Sequence, residues 1–130
     1  MESFFLNIIP PTVTAQQHRV TVINGKPRFY DTFEIKQAKI MLEGMLLQHK
    51  PTEPYKVPVK LLVKWCFPKG KHKDGAYKYT RPDTDNLQKM LKDCMTRCGF
   101  WIDDSYVCLE IVEKFWSKIP GIYIEVEELE

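Results

Sequence analysis

The sequence has few of the features that mark zinc, membrane or secreted proteins. Its 130 residues include four cysteines and three histidines, and no two cysteines form a Cys-x-x-Cys pair. Zinc sites usually draw on such pairs and on clustered histidines, so a zinc site is disfavoured. No apolar run approaches the roughly 18 residues that span a membrane, and the stretch Met1 to Phe5 lacks the basic start of a secretory signal. We therefore expect a cytoplasmic protein with reduced cysteines and no membrane partner.

The length and the charge distribution set broad limits on organisation. A chain of 130 residues suffices for one domain with a single core, so residues 1–130 are expected to form one unit. The net charge of +2 hides an uneven distribution. Residues 68–82 carry five Lys or Arg against one Asp, whereas residues 125–130 carry four Glu and no base. A basic segment at one end and an acidic segment at the other favour a nucleic-acid partner that contacts only the basic end.

Apolar periodicity predicts several strands. The clearest is Val57 to Phe67, where every second residue is apolar and Lys60 and Lys64 fall on the opposite side. We expect it to be the longest strand. Asn24-Gly25 is a hairpin-turn signal and predicts a short β-ribbon around it. Further strands are predicted at Phe4 to Ile9, at Tyr106 to Trp116 with Val107, Leu109 and Ile111 on one face, and at Ile122 to Val126.

Two stretches have helical spacing. Asp31 and Glu34 form a capping box, and Asp85 and Gln88 form another, so a helix is predicted to begin at each. Gly99 is expected to end the second helix. The buried stripe of the first helix is predicted as Ile35, Ala38, Met41, Leu42, Met45 and Leu46, and that of the second as Leu87, Leu91, Cys94 and Cys98. These elements together predict an α+β fold with two main helices packed on one face of a mixed, mostly antiparallel sheet.

Acidic residues cluster around the second predicted helix. Asp83 and Asp85 are two residues apart, Lys89 follows one turn later, and Asp103-Asp104 come after the helix. Each aspartate alone has a simpler reading as a turn or cap residue. Together they would repel one another by about 4 kcal/mol per pair at 4 Å and an effective dielectric of about 20, so a cation is expected among them. Oxygen ligands of this kind favour Mg²⁺, with Mn²⁺ as the second choice.

The segment from Arg81 to Val107 resembles the RusA family of Holliday junction resolvases. The family pattern runs Asp-x-Asp-Asn-Leu-x-Lys, followed by Asp, Gly, an aromatic residue and Asp-Asp. This sequence supplies those residues in that order as Asp83, Asp85, Asn86, Leu87, Lys89, Asp93, Gly99, Trp101, Asp103 and Asp104. The family commonly has a dense arginine run before its first aspartate, and here only Arg81 is immediately adjacent.

The resemblance implies an activity and a set of site residues. It implies a Mg²⁺-dependent endodeoxyribonuclease that resolves four-way DNA junctions by paired symmetric nicks, acts as a homodimer and needs no small-molecule cofactor. Asp83, Asp85 and Asp104 match the metal-binding residues, and Lys89 matches the lysine at the catalytic centre. Asp93 and Asp103 also match family positions, without an assigned role.

Basic residues outside this motif are candidates for contacts with the DNA backbone. The loop after the long strand interleaves lysines with Tyr77 and Tyr79, a mixture suited to phosphate neutralisation and base stacking, and its two glycines favour a mobile loop. The predicted β-ribbon is also basic, beginning at His18. The DNA-binding candidates are Arg19, Lys26, Arg28, Lys69, Lys71, Lys73, Lys78 and Arg81.

Two alternatives to a junction resolvase remain at this level. One is a metal-dependent nuclease that acts on other branched or duplex DNA with the same chemistry. The other is a non-catalytic DNA-binding module in which the aspartates are only caps and turns. The second alternative predicts no metal-dependent turnover.

Overall fold

The computed structural model describes residues 1–12, 19–30 and 32–130. A four-stranded sheet, a separate two-stranded ribbon and two helices make up this part of the chain. The elements in chain order are β1 (Glu2–Leu6), β2 (Arg19–Ile23), β3 (Lys26–Tyr30), α1 (Phe33–Leu46), β4 (Val59–Pro68), α2 (Thr84–Cys98), a 3-10 turn (Asp104–Tyr106), β5 (Val107–Ser117) and β6 (Gly121–Glu128).

The main sheet has the strand order β1-β6-β4-β5. The β1–β6 and β6–β4 pairs are antiparallel and the β4–β5 pair is parallel. The buried residues of α1, α2 and the inner side of the sheet form one hydrophobic cluster. The predicted α+β class, with two helices on a mixed and mostly antiparallel sheet, is therefore confirmed. Among the described residues, neither helix is long and apolar enough to cross a membrane.

Strand β4 forms the centre of the core, as its alternation predicts. Its odd-numbered residues from Val59 to Phe67 are all buried, and the residues between them are partly exposed. β5 has 11 residues against 10 for β4, so the prediction that β4 is the longest strand is wrong. β1 begins and ends earlier than predicted. It ends at Leu6 because the chain turns there, and the N–H of Ile8 donates to the carbonyl of Leu6 at 2.9 Å.

A bulge in β5 changes the predicted faces of that strand. Val107 pairs with Val59, but Leu109 pairs with Lys60, so Cys108 is an extra residue in the ladder. Because neighbouring side chains in a strand alternate in direction, one extra residue reverses the faces after it. Val107 therefore does not share a face with Leu109 and Ile111, and the helix-facing side continues through Glu110, Val112, Lys114 and Trp116.

Both helices begin at a residue other than the predicted one. The N-cap of α1 is Thr32, whose Oγ1 accepts the N–H of Ile35 at 3.4 Å, while Asp31 lies outside the described residues. The N-cap of α2 is Asp83, so Asp85 lies in the first turn. Gln88 does not close a capping box with Asp85, because its side chain is buried and bonded to Trp65.

The buried stripes of the two helices largely match the sequence pattern. Leu87, Leu91, Cys94 and Cys98 are all buried in α2, and Gly99 ends that helix in the left-handed conformation with φ 92°. In α1 the prediction is wrong for Met41, which is 55% exposed, although the rest of the stripe contacts the core. The Asn24-Gly25 hairpin is confirmed, with φ angles of 51° and 76° that suit its tight turn.

The basic loop between β4 and α2 lies along the edge of β5. The N–H of Gly75 donates to the carbonyl of Trp116 at 2.8 Å. The N–H of Lys78 donates to the carbonyl of Lys114 at 3.0 Å. Tyr77 forms an antiparallel bridge with Phe115, and their rings stack with centroids 5.0 Å apart. These contacts fix the loop against the sheet, contrary to the mobile loop that its composition predicts.

Two lysines hold the end of this loop where it enters α2. Lys78 is buried, and its Nζ donates to the carbonyl of Arg81 at 2.7 Å and to the hydroxyl of Thr80. Lys114 Nζ donates to the carbonyls of Thr80 and Pro82, both at 2.7 Å. Three consecutive carbonyls, at residues 80–82, are thus bound by ammonium groups immediately before Asp83.

The surroundings of Lys78 explain why a cation can be buried there. Its ammonium lies 4.5 Å from the ring centroid of Trp116 and 5.1 Å from that of Phe67, where the aromatic faces attract a positive charge. Burial, with the nearby charge of Lys114, lowers the pKa of Lys78 from its usual value. The lysine therefore has a structural role at the start of α2.

We predict that Lys78→Met destabilises the fold by about 1–3 kcal/mol, because the carbonyl of Arg81 and the hydroxyl of Thr80 lose a charged donor inside the protein. Urea denaturation followed by tryptophan fluorescence measures the difference. The matched control is Lys71→Met in the exposed part of the same loop, which should change the free energy of unfolding by less than about 0.5 kcal/mol. Equal midpoints for the two variants would contradict the structural role of Lys78.

Candidate active site

A cleft of about 300 Å³ lies between α2 and the beginning of β5. Helix α2 contributes one face of its first three turns, and the other wall comes from the 3-10 turn and β5. The cleft brings together carboxylates from both sides of the chain reversal at Gly99. Its lining residues are Thr84, Asp85, Gln88, Lys89, Lys92, Asp104, Glu110 and Val112.

Two of the three predicted metal ligands line this cleft. Asp85 lies in the first turn of α2, where the positive end of the helix dipole favours a carboxylate. Asp104 begins the 3-10 turn that leads into β5. Asp83 is the exposed N-cap residue just before the helix and does not line the cleft. The structure therefore brings Asp85 and Asp104 together and leaves Asp83 at the entrance of α2.

The predicted catalytic lysine, Lys89, lies on the same face of α2 as Asp85. Its ammonium pairs with Asp93 at 3.8 Å, and its side chain is 62% exposed. An exposed pair of this kind contributes at most a few tenths of a kcal/mol. Lys89 can therefore leave Asp93 for an incoming anion at little cost.

The second aspartate of the acidic pair, Asp103, acts as a local cap. Its Oδ1 accepts the N–H of Ser105 at 2.9 Å and so starts the 3-10 turn. That hydrogen bond lowers the pKa of Asp103. The geometry thus separates the two neighbouring aspartates, because Asp103 holds the turn and Asp104 lines the cleft.

A chain of polar side chains connects the core to the cleft. Trp65 Nε1 donates to Gln88 Oε1 at 2.7 Å, and Gln88 Nε2 donates to Glu110 Oε2 at 2.7 Å. Lys92 Nζ donates to the other oxygen of Glu110 at 3.1 Å. The sequence pattern did not reveal Glu110 or Lys92. The available signal was Trp65 itself, since an indole N–H on the core face of a strand requires a nearby acceptor.

The residues predicted to contact DNA differ in their exposure to solvent. Lys26, Lys71, Lys73 and Arg81 are exposed, and Lys69 is partly exposed. Lys78 points into the protein, so it is not available at the surface. The side chains of Arg19 and Arg28, together with His18, lie outside the described residues.

The aromatic residues of the basic loop also differ, since two of them make contacts with β5 and one is exposed. The ring of His72 stacks on Trp116 at 3.9 Å, and the hydroxyl of Tyr77 donates to Glu113 at 2.9 Å. Tyr79 is 94% exposed. Of the two tyrosines of this loop, Tyr79 is therefore the one that the fold leaves more exposed.

The donor chemistry of the cleft fits a small hard cation. In the part of the chain that the structure describes, no three His, Cys, Asp or Glu side chains converge closely enough to enclose a metal ion. Magnesium does not require such a cage, since it is commonly bound by one or two carboxylates and completes its shell with water and substrate phosphates. Asp85 and Asp104 can supply that minimal set, and the four described cysteines are free thiols outside this cleft.

Comparison with known proteins agrees with the motif. Residues 9–127 match the family profile described as Endodeoxyribonuclease RusA. The chain is 34% identical over 119 residues to the crossover junction endodeoxyribonuclease rusA of Lactococcus phage r1t, which covers 89% of each protein. It is 26% identical over 141 aligned positions to the uncharacterized protein YqaN of Bacillus subtilis (strain 168), covering 99% of each. The chain belongs to the RusA endodeoxyribonuclease family.

Proposed function

We propose that this protein resolves four-way DNA junctions in the cytoplasm by Mg²⁺-dependent hydrolysis of one phosphodiester bond in each of two opposed strands. The observation that carries the proposal is the cleft in which Asp85, Asp104 and Lys89 lie together. The relative from Lactococcus phage r1t, similar over most of its length, is named as a crossover junction endodeoxyribonuclease. Recombination and DNA repair are the processes that such an activity serves.

Asp83, Asp85 and Asp104 are the proposed metal-binding residues. Nucleases of this family generally depend on a divalent metal, and the carboxylates of the cleft fit Mg²⁺, with Mn²⁺ as a substitute. Asp83 lies two residues from Asp85 at the end of the loop that Lys78 and Lys114 fix. A bound ion supplies Lewis-acid polarisation of the scissile phosphate and activation of the attacking water.

Lys89 is proposed to stabilise the charge that develops on the phosphate. Its ammonium extends from the second turn of α2 on the face that carries Asp85. Contact with DNA excludes water from the cleft, and a fixed cation is then more effective at stabilising negative charge. Asp93 is the partner of Lys89 in the free protein, and because the pair is exposed and weak, Lys89 can exchange it for the phosphate.

The exposed cations of the basic loop are proposed to bind the flanking DNA backbone. Lys71, Lys73 and Arg81 are exposed on the segment that leads directly into Asp83. The loop starts at the end of β4, whereas Glu127 and Glu128 of β6 pair with the beginning of β4. A ten-residue strand is about 33 Å long, so the acidic end of the sheet lies far from the loop. Lys26, Arg19 and Arg28 of the ribbon and Lys69 remain further candidates for phosphate contacts.

A nuclease of broader shape preference is the second candidate. The same cleft would cleave a phosphodiester in a fork, a flap or a plain duplex, because the chemistry is independent of DNA shape. The sparse arginines before Asp83, where only Arg81 is adjacent, favour this alternative. The proposed unit for either activity is the whole chain, residues 1–130, acting as one domain.

The first prediction from this proposal concerns substrate shape. The protein with Mg²⁺ should cut a labelled four-way junction by paired symmetric nicks and leave a linear duplex of the same sequence intact, with no cutting in chelator. Denaturing gels of both substrates measure the outcome. Cutting of both substrates would support the broader nuclease, and binding without cutting under any divalent metal would point to a non-catalytic DNA-binding module.

A second prediction concerns the carboxylates. Asp83→Asn, Asp85→Asn and Asp104→Asn should each abolish cleavage, while junction binding in chelator stays equal or becomes tighter because one negative charge is removed. Gel-shift titration and single-turnover cleavage measure the two properties separately. Glu53→Gln is the matched control, since Glu53 is an exposed acid outside the cleft. A variant that retained cleavage would remove its aspartate from the proposed set.

The third part of the proposal is a two-fold homodimer, since paired nicks require two active sites. The outer face of the sheet is the proposed contact, because no helix covers its apolar residues Leu109 and Ile111 within the described part of the chain. Lys60 and Lys64 of β4 lie on that same face beside Glu125 of β6. Opposite charges on one surface can pair across a two-fold axis.

Sedimentation velocity should give twice the chain mass of 15.3 kDa at the concentration used for cleavage. Ile111→Glu should shift the protein toward the monomer mass by placing a charge in the contact. Ile40→Glu, at an exposed isoleucine of α1, is the control and should leave the dimer intact. A monomer for the unaltered protein would contradict the dimer.

A further inference from the structure

The cleft contains a second lysine that the RusA motif does not include. Lys92 lies three residues after Lys89 on α2, and residues at this spacing are neighbours on a helix surface. Its side chain is 21% exposed, against 62% for Lys89. The two cations of the cleft thus differ in how firmly the protein holds them.

Glu110 accepts a hydrogen bond from Lys92 on the cleft side and another from Gln88 on the core side. Gln88 is 3% exposed and spans the distance between Trp65 and Glu110. The orientation of its amide is fixed, because an indole N–H can only donate and Gln88 must meet it with its oxygen. The amide nitrogen of Gln88 therefore points at Glu110, whose second oxygen accepts from Lys92.

The need to satisfy Trp65 explains only part of this network. A buried indole N–H requires one acceptor, and Gln88 provides it. Glu110 and Lys92 lie further out, where both line the cleft and keep some exposure. An ammonium group has three donors, and the bond to Glu110 uses one of them. Within the described part of the chain Glu110 is the partner of this ammonium, so two of its donors remain for a ligand in the cleft.

Glu110 itself is not placed as a metal ligand. Asp85, Asp104 and Glu110 line the same cleft, but Glu110 is already bonded to Gln88 and Lys92. Both of its oxygens also accept hydrogen bonds within the network. Its position is therefore better suited to orienting Lys92.

The geometry points to Lys92 as a second phosphate-binding residue of the cleft, with Glu110 as the residue that positions it. This inference rests on the proposed function, since it requires DNA to enter the cleft. Lys92 is oriented before the DNA arrives, so little side-chain entropy is lost when a phosphate binds. Lys89 and Lys92 together then contact the DNA strand from successive turns of α2.

The test is the salt dependence of junction binding in chelator, where no cleavage occurs. Lys92→Met keeps an unbranched side chain that is one atom shorter and removes the charge. It should reduce the slope of log K against log salt by about 0.9, which is the value for one lost phosphate contact. Between 50 and 200 mM salt, the gap between variant and unaltered protein should change about threefold. Lys92→Arg should restore the slope.

The matched control is Lys56→Met, which removes one exposed lysine outside the cleft and should leave the slope unchanged. Thermal melting of all variants separates a change in binding from a change in folding. An unchanged slope for a folded Lys92→Met protein would overturn the inference and leave Lys92 as an internal partner of Glu110.

Glu110→Gln tests the positioning role. It keeps the charge of Lys92, so the salt slope should stay within error, while single-turnover cleavage should slow about tenfold because the ammonium is no longer held in position. Unchanged cleavage would contradict the positioning role. Unaltered protein that binds a junction but never cuts it with Mg²⁺ would count against the proposed function, whereas the slopes in chelator would still decide the role of Lys92.

Discussion

The parallel pairing of β4 and β5 is the constraint on which the site depends. Two parallel neighbours cannot be joined by a tight turn, so the chain must leave the end of β4 and return to the beginning of β5. The return path is α2, whose N-terminus carries Asp85 and whose far end leads through Gly99 to Asp104. A connection that topology requires therefore also brings the two acidic segments into one cleft.

Much of this arrangement could be predicted from local sequence. The alternation in β4 correctly predicted its buried face, the Asn24-Gly25 turn predicted the ribbon, and Gly99 predicted the end of α2. The acidic motif indicated a hard-cation site, and two of its aspartates do line one cleft. These features depend on residues close together in the chain, where spacing alone determines which side chains share a face.

The features that were missed depend on contacts between distant segments. Gln88 has the spacing of a capping-box residue, but the indole N–H of Trp65, 23 residues away, attracts it into the core. Lys78 belongs to a basic run, yet two aromatic faces and the carbonyl of Arg81 hold it inside the protein. In both cases a hydrogen bond inside the protein determined where the side chain lies. The position that its neighbours in the sequence predict was not adopted.

The bulge at Cys108 decides which side chain of β5 faces the cleft. In a regular ladder with the same residues, Glu110 would be level with Leu62 on the outer face of the sheet, and Leu109 would turn toward α2. The bulge reverses these two faces, so a carboxylate rather than an aliphatic side chain lines the cleft. Loss of Cys108 itself would make the ladder regular and still leave Glu110 opposite Leu61, so relatives that share the active site can differ in length by one residue at this point of β5.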